Sequence, residues 1–293
     1  MDWLRALNAA VDYIESRLDA EIDPAELAAC SGWSTYHFHK IFGLMAGISA
    51  AEYIRRRRLD RAAFDLRHKG LKVIDIGLKY GYGSPTAFNR AFQKMHGLSP
   101  RAARRPEAVL KAYPRISFHI SVKGATMMNY RIQEQPAFRI LGIKLHTSTR
   151  DGENFRQIPK FWNDASRDGT LCRLLNIARE DGETAGRELG LMGLCRARAG
   201  TEPLELDYYI AVAVRRAAEP GLTELTVPAA TYAVFECLGP IPEAIQDLTR
   251  RIYAEWLPGS GYELADNPDI EYYYEGDMTA ADYRSEVWLP IRG

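Results

Sequence analysis

The chain has 293 residues, 46% of them hydrophobic, with 38 basic and 38 acidic side chains and four cysteines. That much apolar material can bury the core of one large or two ordinary domains, which excludes a chain disordered throughout. No window approaches 18 uninterrupted apolar residues, and Met1-Asp2-Trp3-Leu4-Arg5 lacks the basic-then-apolar pattern of a signal peptide, so the expectation is a cytoplasmic protein with no membrane span. Cys30, Cys172, Cys195 and Cys237 show no CxxC spacing and fall in apolar neighbourhoods, so four buried thiols are expected, not a zinc site or a disulfide framework.

The zero net charge conceals a division. Met1 to Arg115 carries 19 basic and 12 acidic residues, net +7, and the remainder is net −7. Between Ala28 and Arg115 there are 17 basic residues against five acidic ones, the electrostatic footprint of a surface for a polyanion.

Along the chain, Leu4, Leu7, Val11, Ile14 and Leu18 recur at helical spacing, and the first hundred residues read as helices throughout. Asp23-Pro24-Ala25-Glu26 supplies an N-cap, a proline at the first helical position and a carboxylate at the third. Ser34 and Ser84 are further caps, Gly47 and Gly97 further stops, and Ala51 to Lys69 is long enough for a central helix.

Laying the two halves of this region over each other reveals a repeat. Phe38, Phe42, Gly47, Ile48 and Ser49 fall on Phe88, Phe92, Gly97, Leu98 and Ser99, while Leu27 and Gly32 fall on Ile76 and Gly81. Each unit is a helix, a glycine turn and a second helix whose two phenylalanines form one apolar stripe. The residues between them face elsewhere: Tyr36, His39 and Lys40 in the first unit, Thr86, Asn89 and Arg90 in the second. A helix-turn-helix uses such a face to reach base edges in the major groove. With Ala87 these are the DNA-binding candidates. From the quartet Arg55-Arg56-Arg57-Arg58, which surrounds a helical turn so that at most two can face a backbone together, Arg55 and Arg58 are taken as phosphate contacts.

The segment Ile74-Asp75-Ile76-Gly77-Leu78-Lys79-Tyr80-Gly81-Tyr82-Gly83-Ser84-Pro85-Thr86-Ala87-Phe88-Asn89-Arg90-Ala91-Phe92-Gln93-Lys94, followed by Gly97-Leu98-Ser99-Pro100, resembles the signature of the AraC/XylS family of bacterial transcription regulators. The resemblance covers roughly the first third of the chain. It implies seven helices, with two helix-turn-helix units joined by a connecting helix and recognition helices entering successive major-groove segments. Pro85 stands where many members carry a polar contact residue, so a base contact is lost there.

From Pro106 to Ala125 the helical pattern dissolves, and Met128-Asn129-Tyr130-Arg131-Ile132 begins strand-like alternation. The expected division is a DNA-binding domain over 1–108, a linker over 109–125 and a second domain over 126–293. Strands are expected at Phe138–Lys144, Leu189–Arg196, Leu206–Val214, Thr231–Glu236, Asp269–Tyr274 and Arg284–Pro290, and helices at Ile158–Arg167, Leu171–Arg179 and Ile241–Trp256. The order strand, helix, strand, strand occurs twice, an α+β pattern with a mostly antiparallel sheet.

This half is similar to the GyrI-like effector-binding domains through Val227-Pro228-Ala229-Ala230-Thr231-Tyr232-Ala233-Val234-Phe235, Gly239-Pro240-Ile241-Pro242, Glu255-Trp256-Leu257-Pro258, Pro268-Asp269-Ile270-Glu271-Tyr272-Tyr273 and Val287-Trp288-Leu289-Pro290-Ile291. The resemblance implies two strand-helix-strand-strand modules around a groove for a small hydrophobic, cationic or aromatic compound, with an acidic residue in its floor at the position of Glu271.

Alternation puts Glu271 on one face of its strand with Tyr273, and Ile270, Tyr272 and Tyr274 on the other. A carboxylate beside tyrosines can pair with a ligand cation, to which aromatic faces add cation-π attraction. Trp162, Tyr209, Tyr232 and Trp256 complete the effector-binding candidates, each of them equally able to serve core packing. His37, His39, His68 and His96 offer no metal-binding spacing, and neither a phosphate loop nor a nucleophile elbow is present, so no metal, cofactor or catalytic residue is expected.

The sequence thus reads as a transcription regulator whose partners are double-stranded promoter DNA, a small-molecule effector and RNA polymerase, with no membrane. Two rivals are weighed against it. Some GyrI-like domains hydrolyse reactive cyclopropane-bearing compounds, and in such a reading Glu271 is the general base and Tyr209 an acid or orienting group. In the other, the second domain takes no ligand and contacts only protein.

Overall fold

The structure is a computed structural model and describes residues 3–119, 127–149, 152–181, 188–197, 205–215 and 220–293. The chain divides into two units, Met1–Ser121 and Val122–Gly293.

In the first unit the expected caps set the helix starts. Asp23 accepts a hydrogen bond from the Ala25 amide at the head of α2 (Pro24–Ala29), which follows α1 (Trp3–Ser16). Ser34 and Ser84 cap α3 (Thr35–Ala46) and α6 (Pro85–His96) in the same way, with the central α4 (Ala50–His68) and the short α5 (Val73–Lys79) between them. A 3-10 turn at Ala102–Arg104 stands at the end, where the resemblance implies a seventh helix. The repeat survives in the backbone: Gly32 and Gly81 turn each unit at φ 71° and 82°, a left-handed conformation that a side chain disfavours.

Each half has its own core. Leu7, Val11, Ile14, Phe38 and Phe42 are fully buried in the first, and Leu59, Ile76, Phe88 and Phe92 cluster in the second. The two are braced by charge. Arg57 is buried and forks onto both Glu15 carboxylate oxygens at 2.7 and 2.8 Å, and Asp65 is buried under Lys79, Lys69 and Tyr80 at 2.8, 2.9 and 3.0 Å.

The stretch read as a linker over 109–125 needs correction. The Tyr113 amide donates to Asp60 at 3.0 Å, Ile116 donates to the Tyr53 hydroxyl at 3.3 Å, and Phe118 exchanges two bonds with the Asn8 side chain while its ring packs edge-on against Phe42. Residues 113–118 therefore pack as part of the first unit; residues 120–126 lie outside the described residues. The cysteine expectation also changes: only Cys237 is buried, Cys195 is half-buried, and Cys30, at the C-cap of α2, and Cys172, in the second unit's helix Thr170–Asp181, are exposed.

The second unit contains β1 (Tyr130–Gln135), β2 (Phe138–Ser148), α7 (Glu153–Arg167), α8 (Thr170–Asp181), β3 (Gly190–Ala197), β4 (Glu205–Val214), β5 (Thr223–Val227), β6 (Ala230–Leu238), α9 (Glu243–Arg251), α10 (Leu257–Ser260), β7 (Glu263–Leu264), β8 (Asp269–Tyr274) and β9 (Arg284–Arg292). The helix expected over Ile241–Trp256 starts at Glu243 and widens into a π-helical turn at Ile252–Trp256. β5 and β7 are additional to the expected strands.

All strands join one antiparallel sheet in the order β1-β6-β9-β8-β3-β4-β2-β5, with β7 on β9. The modules β2-α7-α8-β3-β4 and β6-α9-α10-β8-β9 meet where β3 pairs with β8. Each module is preceded by a strand that crosses to the other one, β1 pairing with β6 and β5 with β2. One sheet face packs on itself: Met192, Leu194, Tyr209, Tyr232, Ile270, Tyr272 and Trp288 form a core with no helix residue in it. The helices cover the other face, α8 over β3 and β4 and α9 over β6 and β9. The β3–β8 seam runs between these two helical covers.

Candidate functional site

Two surfaces carry the chemistry. On the first recognition helix, α3, an arc wider than the Phe38–Phe42 stripe is buried, including His37, His39, Ile41 and Gly43. His39 is thus corrected: it is enclosed, and burial lowers its pKa to about 4, so it stands neutral and not as an outward base contact. At 100° per residue, Tyr36 and Lys40 share the narrow outward arc that remains, both half-buried.

The second recognition helix is different. In α6 only Phe88, Phe92 and His96 are buried, while Thr86, Ala87, Asn89 and Arg90 are exposed. Pro85 occupies the first helical position. Gln93, four residues past Asn89 and exposed, extends the same outward arc and is a residue the sequence reading missed; its counterpart in the first unit is Gly43, which has no side chain to offer.

The arginine quartet splits by partner. Arg55 is exposed and bridges to Glu52, and Arg56 bonds the same carboxylate at 2.5 Å while lying over the Tyr113 ring. Arg58 is a correction: its guanidinium donates to the Leu18 carbonyl at 2.9 Å and to the Ala20 carbonyl, and it lies close against Gly81. Half-buried among carbonyl acceptors, it ties α4 to the turn that follows α1.

At the seam of the second unit, Glu271 on β8 stands directly opposite Gly193 on β3. Its carboxylate is half-buried and accepts the Tyr273 hydroxyl at 2.9 Å. Trp162 of α7 packs edge-on against Tyr273 at 5.0 Å and donates its indole N–H to the Tyr208 hydroxyl at 2.8 Å. A Cβ at position 193 would lie 2.4 Å from that hydroxyl and 3.3 Å from Glu271 Oε2, so the glycine is what lets phenol and carboxylate approach. Burial, reinforced by the Glu271 charge, pushes the Tyr208 and Tyr273 hydroxyls well above the usual phenol range, and both stay protonated.

Of the sequence candidates, Glu271, Tyr273 and Trp162 come together. Tyr209, Tyr232 and Trp256 do not. Tyr209 lies in the strand-only core, since alternation along β4 sends it to the face opposite Tyr208. Tyr232 is fully buried in the same core, its hydroxyl bonded to the Pro268 carbonyl at 3.3 Å. Trp256 stacks among Tyr130, Phe235 and Tyr262, two strands away from β8. The residues missed are Tyr208 and Gly193. β4 is buried on both faces along most of its length, so its hydrophobic pattern does not say which tyrosine of the pair faces the seam. An open depression at the β5 end of the sheet, lined by Phe138, Arg139, Val214 and Thr226 among others, lies away from Glu271.

Among the described residues no group of three or more His, Cys, Asp or Glu side chains could hold a metal ion, and no helix is long and apolar enough to cross a membrane.

Fold and sites together define a helix-turn-helix regulator with an appended small-molecule domain. The helix-turn-helix domain pattern matches residues 27–106, and that of the GyrI-like small molecule binding domain matches residues 128–292. The Right origin-binding protein of Escherichia coli K12 is 32% identical over 305 residues, and Transcriptional regulator Rob of Salmonella typhimurium is 32% identical over 306, in both cases with 100% of each chain covered. The HTH-type transcriptional regulator YbfP of Bacillus subtilis is 39% identical over 104 residues, 36% of this chain and 35% of that one, so the match spans about a third of that relative's length. The chain belongs to the family of AraC-type transcription regulators in which a helix-turn-helix domain precedes a GyrI-like domain.

Proposed function

We propose that the first unit recognises promoter DNA through α3 and α6, and that the second takes a hydrophobic aromatic cation at Glu271, whose binding alters how the protein acts with RNA polymerase at the promoter. Tyr36, Lys40, Thr86, Asn89, Arg90 and Gln93 are the base-reading side chains, Ala87 offers a small apolar contact, and Arg55 serves the backbone. The basic first unit supports this reading, because phosphate contacts supply most non-specific DNA affinity.

The observation that carries the effector reading is the half-buried Glu271 carboxylate held by Tyr273 beside the Trp162 ring. A carboxylate is costly to bury, so it stands in an aromatic seam most economically where a cation comes to it, and ring faces attract the same charge. Calorimetric titration with 4-phenylbutyltrimethylammonium tests this. Glu271→Gln is expected to weaken that cation about tenfold while sparing a neutral isostere of the same shape; equal losses for both would remove the charge from the recognition.

A further inference from the structure

We infer that the Tyr208 hydroxyl is a hydrogen-bond donor kept for the ligand, so that the effector is an aromatic cation also bearing an oxygen acceptor close to its charge. This deepens the cation reading of Glu271 and rests on it.

The argument starts from the proton count of the two phenols at the seam. Tyr273 spends its proton on Glu271 Oε2. Tyr208 is 3% exposed and receives the Trp162 N–H on its oxygen, but among the described residues its own proton finds no acceptor. A phenol carries one donor, and a buried donor left unmade is penalised. The proton stays on the oxygen, since burial and the neighbouring carboxylate both oppose its loss.

Geometry then says what can satisfy it. The Tyr208 hydroxyl and Glu271 Oε2 both stand over Gly193, 2.4 and 3.3 Å from where a Cβ there would lie. Trp162 fixes the phenol oxygen from the side of α7. A cation seated against Glu271 therefore presents its nearest substituents to the Tyr208 proton. A hydrocarbon there leaves the proton unmet; an ether, carbonyl or hydroxyl oxygen accepts it.

The test is a matched pair of permanent cations, (2-benzyloxyethyl)trimethylammonium and 4-phenylbutyltrimethylammonium, which differ by an ether oxygen in place of a methylene. Wild-type protein is expected to bind the ether about fivefold more tightly by calorimetry, and Tyr208→Phe to bring the two cations to equal affinity, whatever it does to both in common. The wild-type comparison stands alone even if the Phe variant folds poorly. Equal or weaker binding of the ether by wild type overturns the donor assignment and leaves the Glu271 reading intact. A preference that persists in Tyr208→Phe overturns the assignment to Tyr208. Glu271→Gln should weaken both probes by a similar factor; if it leaves both unchanged, or if neither binds wild type, the cation reading fails and this inference with it.

Discussion

Gly193 and Glu271 face each other across the β3–β8 ladder, and the missing side chain on one strand makes room for the chemistry of the other. A Cβ at 193 meets the Tyr208 hydroxyl at 2.4 Å, inside van der Waals contact, and Tyr208 is too enclosed to move freely. Gly193→Ala should therefore break the Trp162–Tyr208 bond and cost about 1–3 kcal/mol of second-unit stability. Thermal unfolding combined with calorimetry of the cation is the measurement. A variant as stable as wild type that binds as well would show that the seam accommodates a methyl group.

Arg55 and Arg58, three residues apart on α4, should part in their effects. Arg58→Ala removes two bonds to the Leu18 and Ala20 carbonyls and should destabilise the first unit by about 1–3 kcal/mol. Arg55→Ala should leave stability within about 0.5 kcal/mol, weaken every duplex alike, and reduce the salt slope of binding by about one. Chemical denaturation and binding isotherms over a salt series distinguish the two. A sequence-selective loss with Arg55→Ala would assign it to base reading instead.

Base discrimination should rest more on α6 than on α3, because α6 exposes a continuous arc and α3 a narrow one. Asn89→Ala or Arg90→Ala should each cost about 1–3 kcal/mol on the cognate site and far less on random DNA. Gln93→Ala should show the same selectivity, and Lys40→Ala a smaller one. Electrophoretic titration with cognate and scrambled duplexes reads the difference; losses equal on both would reduce these residues to phosphate contacts.

The first unit should weaken in acid. His39 has a folded pKa of about 4 against an ordinary 6.5, so the unfolded chain binds its proton first. Above pH 6.5 the residue has no effect; stability falls as pH drops from there to about 4 and the penalty is constant below. Glu15 and Asp65 act in the same direction. Burial would raise both, but Arg57 with Tyr53 on one, and Lys79, Lys69 and Tyr80 on the other, hold them below 4.5 and 3.8, so their stabilisation is present at neutral pH and lost as pH falls through the lowered values. Hydrogen exchange of α1 and α3 amides over a pH series should show this loss, and His39→Gln should flatten the slope between pH 6.5 and 4 while leaving the steeper fall beneath it. An unchanged slope would mean that His39 is open to solvent.

Local signals carried much of the architecture. Caps at Asp23, Ser34 and Ser84 and the phenylalanine pairs Phe38–Phe42 and Phe88–Phe92 place the helices without tertiary information, since each acts within one or two turns. Alternation in Asp269–Tyr274 likewise places Glu271 with Tyr273, because side chains in a strand have only two faces to choose between.

What depended on other segments was not legible. The two units share a pattern, yet His39 is buried where Asn89 is exposed, because covering a helix is the work of whatever chain packs on it. Arg58 matches a phosphate contact by type and position, and its partners at Leu18 and Ala20 are set by how α1 lies against α4. Tyr208 and Tyr209 are adjacent and chemically identical. The sequence by itself determined most of the helices and strands and the repeat, since those follow from periodicity and short-range caps, while the acidic position came from the resemblance to GyrI-like domains; only the sheet register, which brings Gly193 to Glu271 and Tyr208 to Trp162, decided which residues form the site, because register is fixed by pairing between strands distant in the chain.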